Sequence, residues 1–273
     1  MFFFKKKKAL DKSPLLKDPE IKRKVSFCIS HKNRFEQLSK TLEVNLKDNL
    51  DLRDQIEFIL TDFNDDETIK NWIFDNFKSY LEDGYLKYFH SPDMPKFHMS
   101  AAKNACHNMG QGAILVSLDC DNYTGKNGGQ FVLDNFESHA QNIVLWQFSK
   151  IKRDGSHGRI SVTRDVYHQL GGYNESFHEM GYQDDDFMKR AMALGAKQVK
   201  RKDPDYNKTI PNDKYEPVNM SYEKMRDANK AVSNKNIKAK QLHANQGKYL
   251  VNNFYQLNTQ GELVKTDKPK VNP

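Results

Sequence analysis

Cysteine is scarce in this sequence. Cys28, Cys106 and Cys120 are the three in 273 residues, and none belongs to a CxxC pair. That excludes a disulfide framework and a cysteine-built zinc site, and it suits a reducing compartment. Long apolar runs are missing as well. None approaches the roughly 18–20 residues needed to cross a bilayer. The opening Phe2-Phe3-Phe4 run is too short for a signal peptide and precedes Lys5–Lys8 instead of following them. The expected location is therefore the cytoplasm, with the inner face of the cell membrane as a second station.

What the chain does have is aromatic bulk and charge. The hydrophobic share is 37% and the charged share 29%, but 17 Phe, 12 Tyr and 2 Trp can fill a core, which excludes wholesale disorder. The length allows one large α/β domain or two small ones. The net charge of +7 is unevenly spread. Residues 1–24 hold nine Lys/Arg against three Asp/Glu, residues 25–195 hold 18 against 25, and residues 196–273 hold 16 against eight. A basic protein would suggest nucleic acid, but here the folded middle is acidic and no stacking-aromatic module accompanies the basic ends. No nucleic-acid partner is expected. The basic N-terminus could instead press onto an anionic membrane, or serve as a solubilising end.

The middle alternates strand and helix signals. Apolar runs at Val25–Ser30, Ile56–Thr61, Leu86–His90 and Ala113–Leu118 predict strands. Between them, Phe35 to Leu46, Ile69 to Tyr80 and Met99 to Met109 repeat at helical spacing, with Asp65 and Asp66 as caps for the second helix. This is the pattern of a mostly parallel sheet covered by helices. Further on, Thr124–Gln130 reads as a Gly-rich loop, Asn142–Phe148 and Arg159–Thr163 as strands, and Asp165–Leu170, Asp184–Leu194 and Tyr222–Val232 as helices. Asp203–Tyr215 is polar with two prolines and reads as a mobile loop and candidate lid; the last dozen residues read as frayed.

Polar clusters stand at the strand ends, where open α/β sheets bind ligands. Asp119-Cys120-Asp121-Asn122 follows the fourth strand. Its two carboxylates can share a hard cation such as Mg2+ or Mn2+, or they can be a polar turn. Gln183-Asp184-Asp185-Asp186 opens a helix. Acids there suit the helix dipole, yet three together repel, and such crowding is what a general base near neutral pH requires. His31 and Arg34 follow the first strand, Asp62 the second, and Lys103 sits on the third helix. Together they suit a nucleotide pocket, although each alone reads equally as a solvated charge.

In this order the parts resemble a glycosyltransferase of the GT-A type, close to family 2. The stretches that carry the resemblance are VSFCISHKNRFEQLSKTL, EFILTDFNDDETIKNW, FHMSAAKNAC and AILVSLDCDN. The stretch VTRDVYHQLGGYNESFHEMGYQDDDFMKRAMALG resembles the C-terminal half of the β-1,4-galactosyltransferases. The resemblance implies a basic tail over 1–23, a GT-A domain over 24–245 (nucleotide-sugar half 24–125, acceptor half 126–245) and a C-terminal tail over 246–273. It implies that Asp62 recognises the uridine of a UDP-sugar, with His31, Arg34, Lys103 and Cys120 near the nucleotide. Asp119 and Asp121 match the DxD motif and would hold Mn2+ or Mg2+. Asp184 matches the general base of inverting members. Asp185, Asp186, Gln183, Tyr182, Gly172, Tyr173 and Asn174 match the acceptor side. The acceptor would be a saccharide, free or lipid-linked, in bacterial surface polysaccharide or lipooligosaccharide synthesis.

Three departures stand out. Gln183 replaces the usual Glu, Met180-Gly181 replaces Trp-Gly so that Tyr182 is the substitute aromatic, and no His lies between Gly195 and Gln241 to complete the metal site. Asp203, Asp205 and Asp213 are the acids available for that role. Two rivals remain at this stage. A nucleotidyltransferase would carry a Gly-rich loop after the first strand, which SHKNRF lacks; a non-catalytic module binding anionic surfaces or polysaccharide would leave the aspartate clusters unexplained.

Overall fold

The structure is a computed structural model that describes residues 14–139, 142–149, 155–203, 205–210 and 220–268. The N-terminal Phe and Lys run, and residues 204 and 211–215 of the expected lid, Asp213 among them, lie outside the described residues. A short helix, α1 (Pro14–Lys17), precedes the sheet. Strands β1 (Val25–His31), β2 (Ile56–Asp62), β3 (Leu86–His90) and β4 (Ile114–Ser117) are the four expected apolar runs. They alternate with α2 (Phe35–Asp48), α3 (Thr68–Glu82) and α4 (Met99–Met109). Asp66 Oδ1 accepts from the Thr68 amide at 2.8 Å just ahead of α3, but the N-cap position is Glu67 and not Asp65 or Asp66.

Next come α5 (Gly128–Glu137), β5 (Ile143–Gln147), β6 (Ile160–Thr163), α6 (Arg164–Leu170), α7 (Gln183–Leu194) and β7 (Lys197–Arg201). Helix α8 (Tyr222–Lys238) and the hairpin β8 (Phe254–Leu257) and β9 (Leu263–Thr266) complete the chain. Among the described residues, nine strands form one sheet in the order β7-β5-β6-β4-β1-β2-β3-β8-β9. The central four are parallel; β6 runs antiparallel between β4 and β5. This is the expected α/β architecture with its parallel centre flanked by helices.

Side-chain alternation along the strands divides the core into two layers. Phe27 and Ile29 pack with Leu38, Leu42, Ile73 and Phe136 from α2, α3 and α5 on one face. Cys28 and Ile59 pack with Ala102, Tyr167 and Phe187 from α4, α6 and α7 on the other.

Three elements differ from the sequence expectation. The Gly-rich stretch ends by opening α5, because Asn49 accepts from the Gly129 amide at 2.7 Å and anchors the first turn. Strand β7 has Val199 as its one buried position and is held by pairing with β5. The expected C-terminal tail over 246–273 forms β8 and β9, the latter within the dozen residues expected to fray, and they extend the sheet through antiparallel pairing of β8 with β3.

Candidate active site

Polar residues on the inner side of α2 fix the segment after β4. Thr41 Oγ1 donates to the Cys120 carbonyl at 2.6 Å and Asn45 Nδ2 to the Asn122 carbonyl at 2.9 Å; Asn45 Oδ1 accepts from the Thr124 amide at 2.8 Å. From the other side, Tyr123 N donates to Lys208 O and Ile210 N to Asp121 O, both at 2.8 Å. The described part of the expected lid is thus pinned to this segment. The clamped turn presents Asp119, Cys120 and Asp121 to a cleft of ≈ 550 Å³ that Ser30, Lys32, Asn33 and Arg34 also line.

At the floor stands Lys103, 3% exposed, reaching from α4. Its ammonium lies 2.8 Å from Asp184 Oδ1 and 3.6 Å from Asp119 Oδ1. Burial acts to lower its pKa, but the Asp119 and Asp184 carboxylates more than reverse this and the net shift is upward. The charged form therefore links Asp119, on the turn after β4, to Asp184, in the first turn of α7. Gly158 leaves room for this contact. A Cβ there would lie 2.8 Å from Lys103 Nζ, 2.9 Å from an Asp119 oxygen and 3.4 Å from an Asp184 oxygen.

The acidic run is not a cluster in space, because each carboxylate meets a different cation. Asp184, 14% exposed, meets Lys103, and Gln183 Nε2 donates to its second oxygen at 3.3 Å. Asp185 faces His157 Nε2 at 3.6 Å. Asp186 is buried and accepts from Arg190 Nε at 2.7 Å. Repulsion among the three is relieved by three separate partners.

Several expected site residues lie elsewhere. Asp62 is 0% exposed and accepts from Tyr88 Oη at 2.9 Å, Asn64 Nδ2 at 2.9 Å and His31 Nδ1 at 3.0 Å. It therefore lies beneath the cleft and does not offer its carboxylate to a uracil. His31 is equally buried and accepts from the Arg34 amide through Nε2 at 3.3 Å, so it shapes the loop that carries Arg34. On the acceptor side, Arg190 also donates to the Gly172 carbonyl at 2.9 Å, which makes Asp186 and Gly172 parts of an internal brace. Tyr173 is buried and stacks on Phe187 with ring centroids 4.3 Å apart. Asn174 accepts from Ser176 and borders a different cavity near residues 240–246. Tyr182 takes a left-handed backbone (φ 69°) ahead of α7, and its hydroxyl accepts from Lys189. The aromatics that do line the cleft are Phe97 and Tyr222, with Met180 also in its lining.

Two residues of the site escaped the sequence reading. His157 has a raised pKa, chiefly through its interaction with Asp185. Arg159 is buried, donates to the Tyr123 carbonyl at 2.7 Å and has its pKa lowered to about 10 by desolvation, against the pull of Asp119 and Asp121. The sequence signal was Ser156-His157-Gly158-Arg159, a loop running directly into an apolar strand.

Asp119 and Asp121 supply hard oxygen donors on one wall, the donor set that Mn2+ or Mg2+ takes. Among the described residues no group of three His, Cys, Asp or Glu comes together. The pair therefore fits a cation whose remaining positions are filled by substrate oxygens and water, as a diphosphate would fill them. Asp203 Oδ1 accepts from the Asp205 amide at 3.0 Å in a local turn, and His243 Nδ1 lies 3.0 Å from the Gln169 carbonyl, so each has a partner of its own.

Comparison with known proteins follows the same lines. S. aureus TarS (residues 1–349) in complex with UDP matches with a TM-score of 0.54 and 14% identity, covering 67% of this chain and 59% of that one. This chain thus spans less than two thirds of that structure. The mannosyltransferase PcManGT of Pyrobaculum calidifontis, in complex with GDP-Man and Mn2+, matches with a TM-score of 0.55 and 15% identity, covering 77% and 62%. The fold is that of the GT-A glycosyltransferases. A family model described as the N-terminal domain of galactosyltransferase matches residues 152–214, from the His157 loop through β6, α6, α7 and β7. The chain thus joins a GT-A fold to a galactosyltransferase-type segment that contains Asp184. Among curated protein sequences there is no match.

Proposed function

We propose that the protein is an inverting, metal-dependent glycosyltransferase that moves a hexose or N-acetylhexosamine from a UDP-sugar to a saccharide acceptor. One observation carries the reading: Lys103 joins Asp119, on the DxD turn, to Asp184, in the galactosyltransferase-type segment. Nucleotide-side and acceptor-side acids thereby meet around one ammonium. The solved relatives in complex with UDP and with GDP-Man and Mn2+ are consistent with a nucleotide-sugar donor and a divalent cation.

In this reading Arg34 and Lys103 attract the diphosphate, and Asp119 and Asp121 hold Mn2+ or Mg2+. When bound there, such a cation would supply charge compensation for the departing UDP. Asp184 takes the proton of the acceptor hydroxyl as it attacks the anomeric carbon. Held reactants lower the entropic barrier. Direct attack with one base inverts the anomeric centre, so an α-linked UDP-sugar yields a β-glycoside. The acceptor is a surface saccharide, free or lipid-linked. The basic N-terminal stretch is the part proposed to touch an anionic membrane. Among the described residues no helix is long and apolar enough to cross one.

The test is UDP release from a panel of UDP-sugars with Mn2+ and simple glycoside acceptors, for the wild type and Asp184→Asn, with the product anomer read by NMR. The expected result is a β-product, and a turnover about 100-fold lower or more in Asp184→Asn. An α-product, or full turnover in the variant, rules out Asp184 as the base of a single displacement.

A further inference from the structure

Helix α8 lies after the matched segment, yet it closes the acceptor side of the cleft. Its first residue, Tyr222, is 38% exposed and lines the cleft with Phe97, Met99 and Met180. Burial and the nearby Asp184 and Asp185 carboxylates push the Tyr222 phenol pKa up. The ring therefore stays neutral beside the acids at the floor.

The helix also holds the turn before α7. Asn229 is buried on α8, and its Oδ1 accepts from the His178 amide at 2.7 Å. Its Nδ2 donates to the Gly181 carbonyl at 2.8 Å, with the Met180 carbonyl at 3.2 Å. Gly181 has a φ of +91°, and a Cβ there would lie 2.9 Å from Arg226 Cβ, so α8 packs directly on this turn. The opposite rim is tied to the same turn. Met99 N donates to Glu179 O at 2.8 Å, His98 Nε2 lies 3.0 Å from the Phe177 carbonyl, and Lys96 pairs with Glu179. Phe97, Met99, Met180 and Tyr222 are thus set on one cross-braced frame.

We propose that Tyr222, with Met180 beside it, is the shelf on which the acceptor sugar ring stacks, and that Asn229 is its positioning residue. This rests on the transferase reading above and adds an acceptor contact from outside the galactosyltransferase-type segment. A pyranose has an apolar C–H face and polar edges. An aromatic ring offers the face large contact area at little cost in side-chain entropy. The acids at the floor then meet the hydroxyl edge. The shelf selects saccharides with an uninterrupted C–H face over acyclic polyols, which have none.

The experiment uses the full chain, the best UDP-sugar of the donor panel, and methyl β-glycosides of glucose, galactose, N-acetylglucosamine and xylose, with sorbitol as the acyclic control. Acceptor KM and donor KM are measured separately. Tyr222→Ala should raise acceptor KM about tenfold without a matching rise in donor KM, whereas Tyr222→Phe should keep the wild-type value. Asn229→Ala should raise acceptor KM in the same direction. An acceptor KM within twofold of wild type in Tyr222→Ala, or a donor KM that rises in step, overturns the shelf. So does a wild-type enzyme that hydrolyses UDP-sugars but uses none of the glycosides, or prefers sorbitol. A wild type that neither hydrolyses nor transfers from any UDP-sugar overturns the transferase reading itself.

Discussion

Asp62 and Asp119 follow the same logic of position and reach opposite ends. Each stands at the C-terminal end of a parallel strand neighbouring β1. Asp62 is 0% exposed, its oxygens taken by Tyr88, Asn64 and His31. Asp119 is 28% exposed, lines the cleft and has Lys103 at 3.6 Å. A strand end offers a place for chemistry, but the neighbours decide whether the lone pairs remain available. Tyr88 on β3 is one such neighbour, since its hydroxyl closes off Asp62 from the side.

The largest effect expected from this contrast is on turnover. Asp119→Asn should lower kcat/KM about 100-fold or more, because it weakens both the cation pair and the link to Lys103. Its melting temperature should change little. If turnover survives, Asp119 belongs with Asp62 as a structural acid. The next effect is on stability. Asp62→Asn turns an acceptor toward donors and should cost about 1–3 kcal/mol in urea unfolding. A variant that folds normally but loses UDP affinity would place Asp62 back in the nucleotide site.

The smallest effect concerns Asp185. His157 is raised by Asp185, and Asp185 is lowered chiefly by His157. The pair's contribution is therefore present at intermediate pH. It is lost as pH rises through the raised His157 value and as pH falls through the lowered Asp185 value. An NMR titration should find the His157 imidazole above the ordinary value of about 6.5, and Asp185→Asn should bring it down. No change in Asp185→Asn would separate His157 from the acidic run. Both groups are about half exposed, so the contribution to folding is small.

The parallel centre was legible because its strands are largely buried on both faces and spell mostly apolar runs. Strands β7, β8 and β9 were not, since they lie toward the edges and owe their conformation to a partner's hydrogen bonds. Lys197–Arg201 contains one buried apolar residue, Val199, and nothing local distinguishes it from a charged loop. The candidate site divides in the same way. The acids could be found as letters in a row, but their partners could not. Lys103 and Asp184 are 81 residues apart, and the fold alone joins them. Crowding at Asp184–Asp186 suggested mutual repulsion, whereas α7 turns each carboxylate toward its own cation. The burial of Asp62 was hidden for the complementary reason: its partners Tyr88 and His31 come from neighbouring strands.

Gly158 gives this floor a one-letter signature. Its backbone φ is not of the kind that demands glycine; the demand is for the volume a single carbon would fill between an ammonium and two carboxylates. A methyl group there acts as a wedge. A chain built on this plan that carries a side chain at the matching place shifts the tips of these side chains, the ammonium or a carboxylate, away from it. Glycine at this position thus lets the bridge close at the distances seen here, where a larger residue would loosen it.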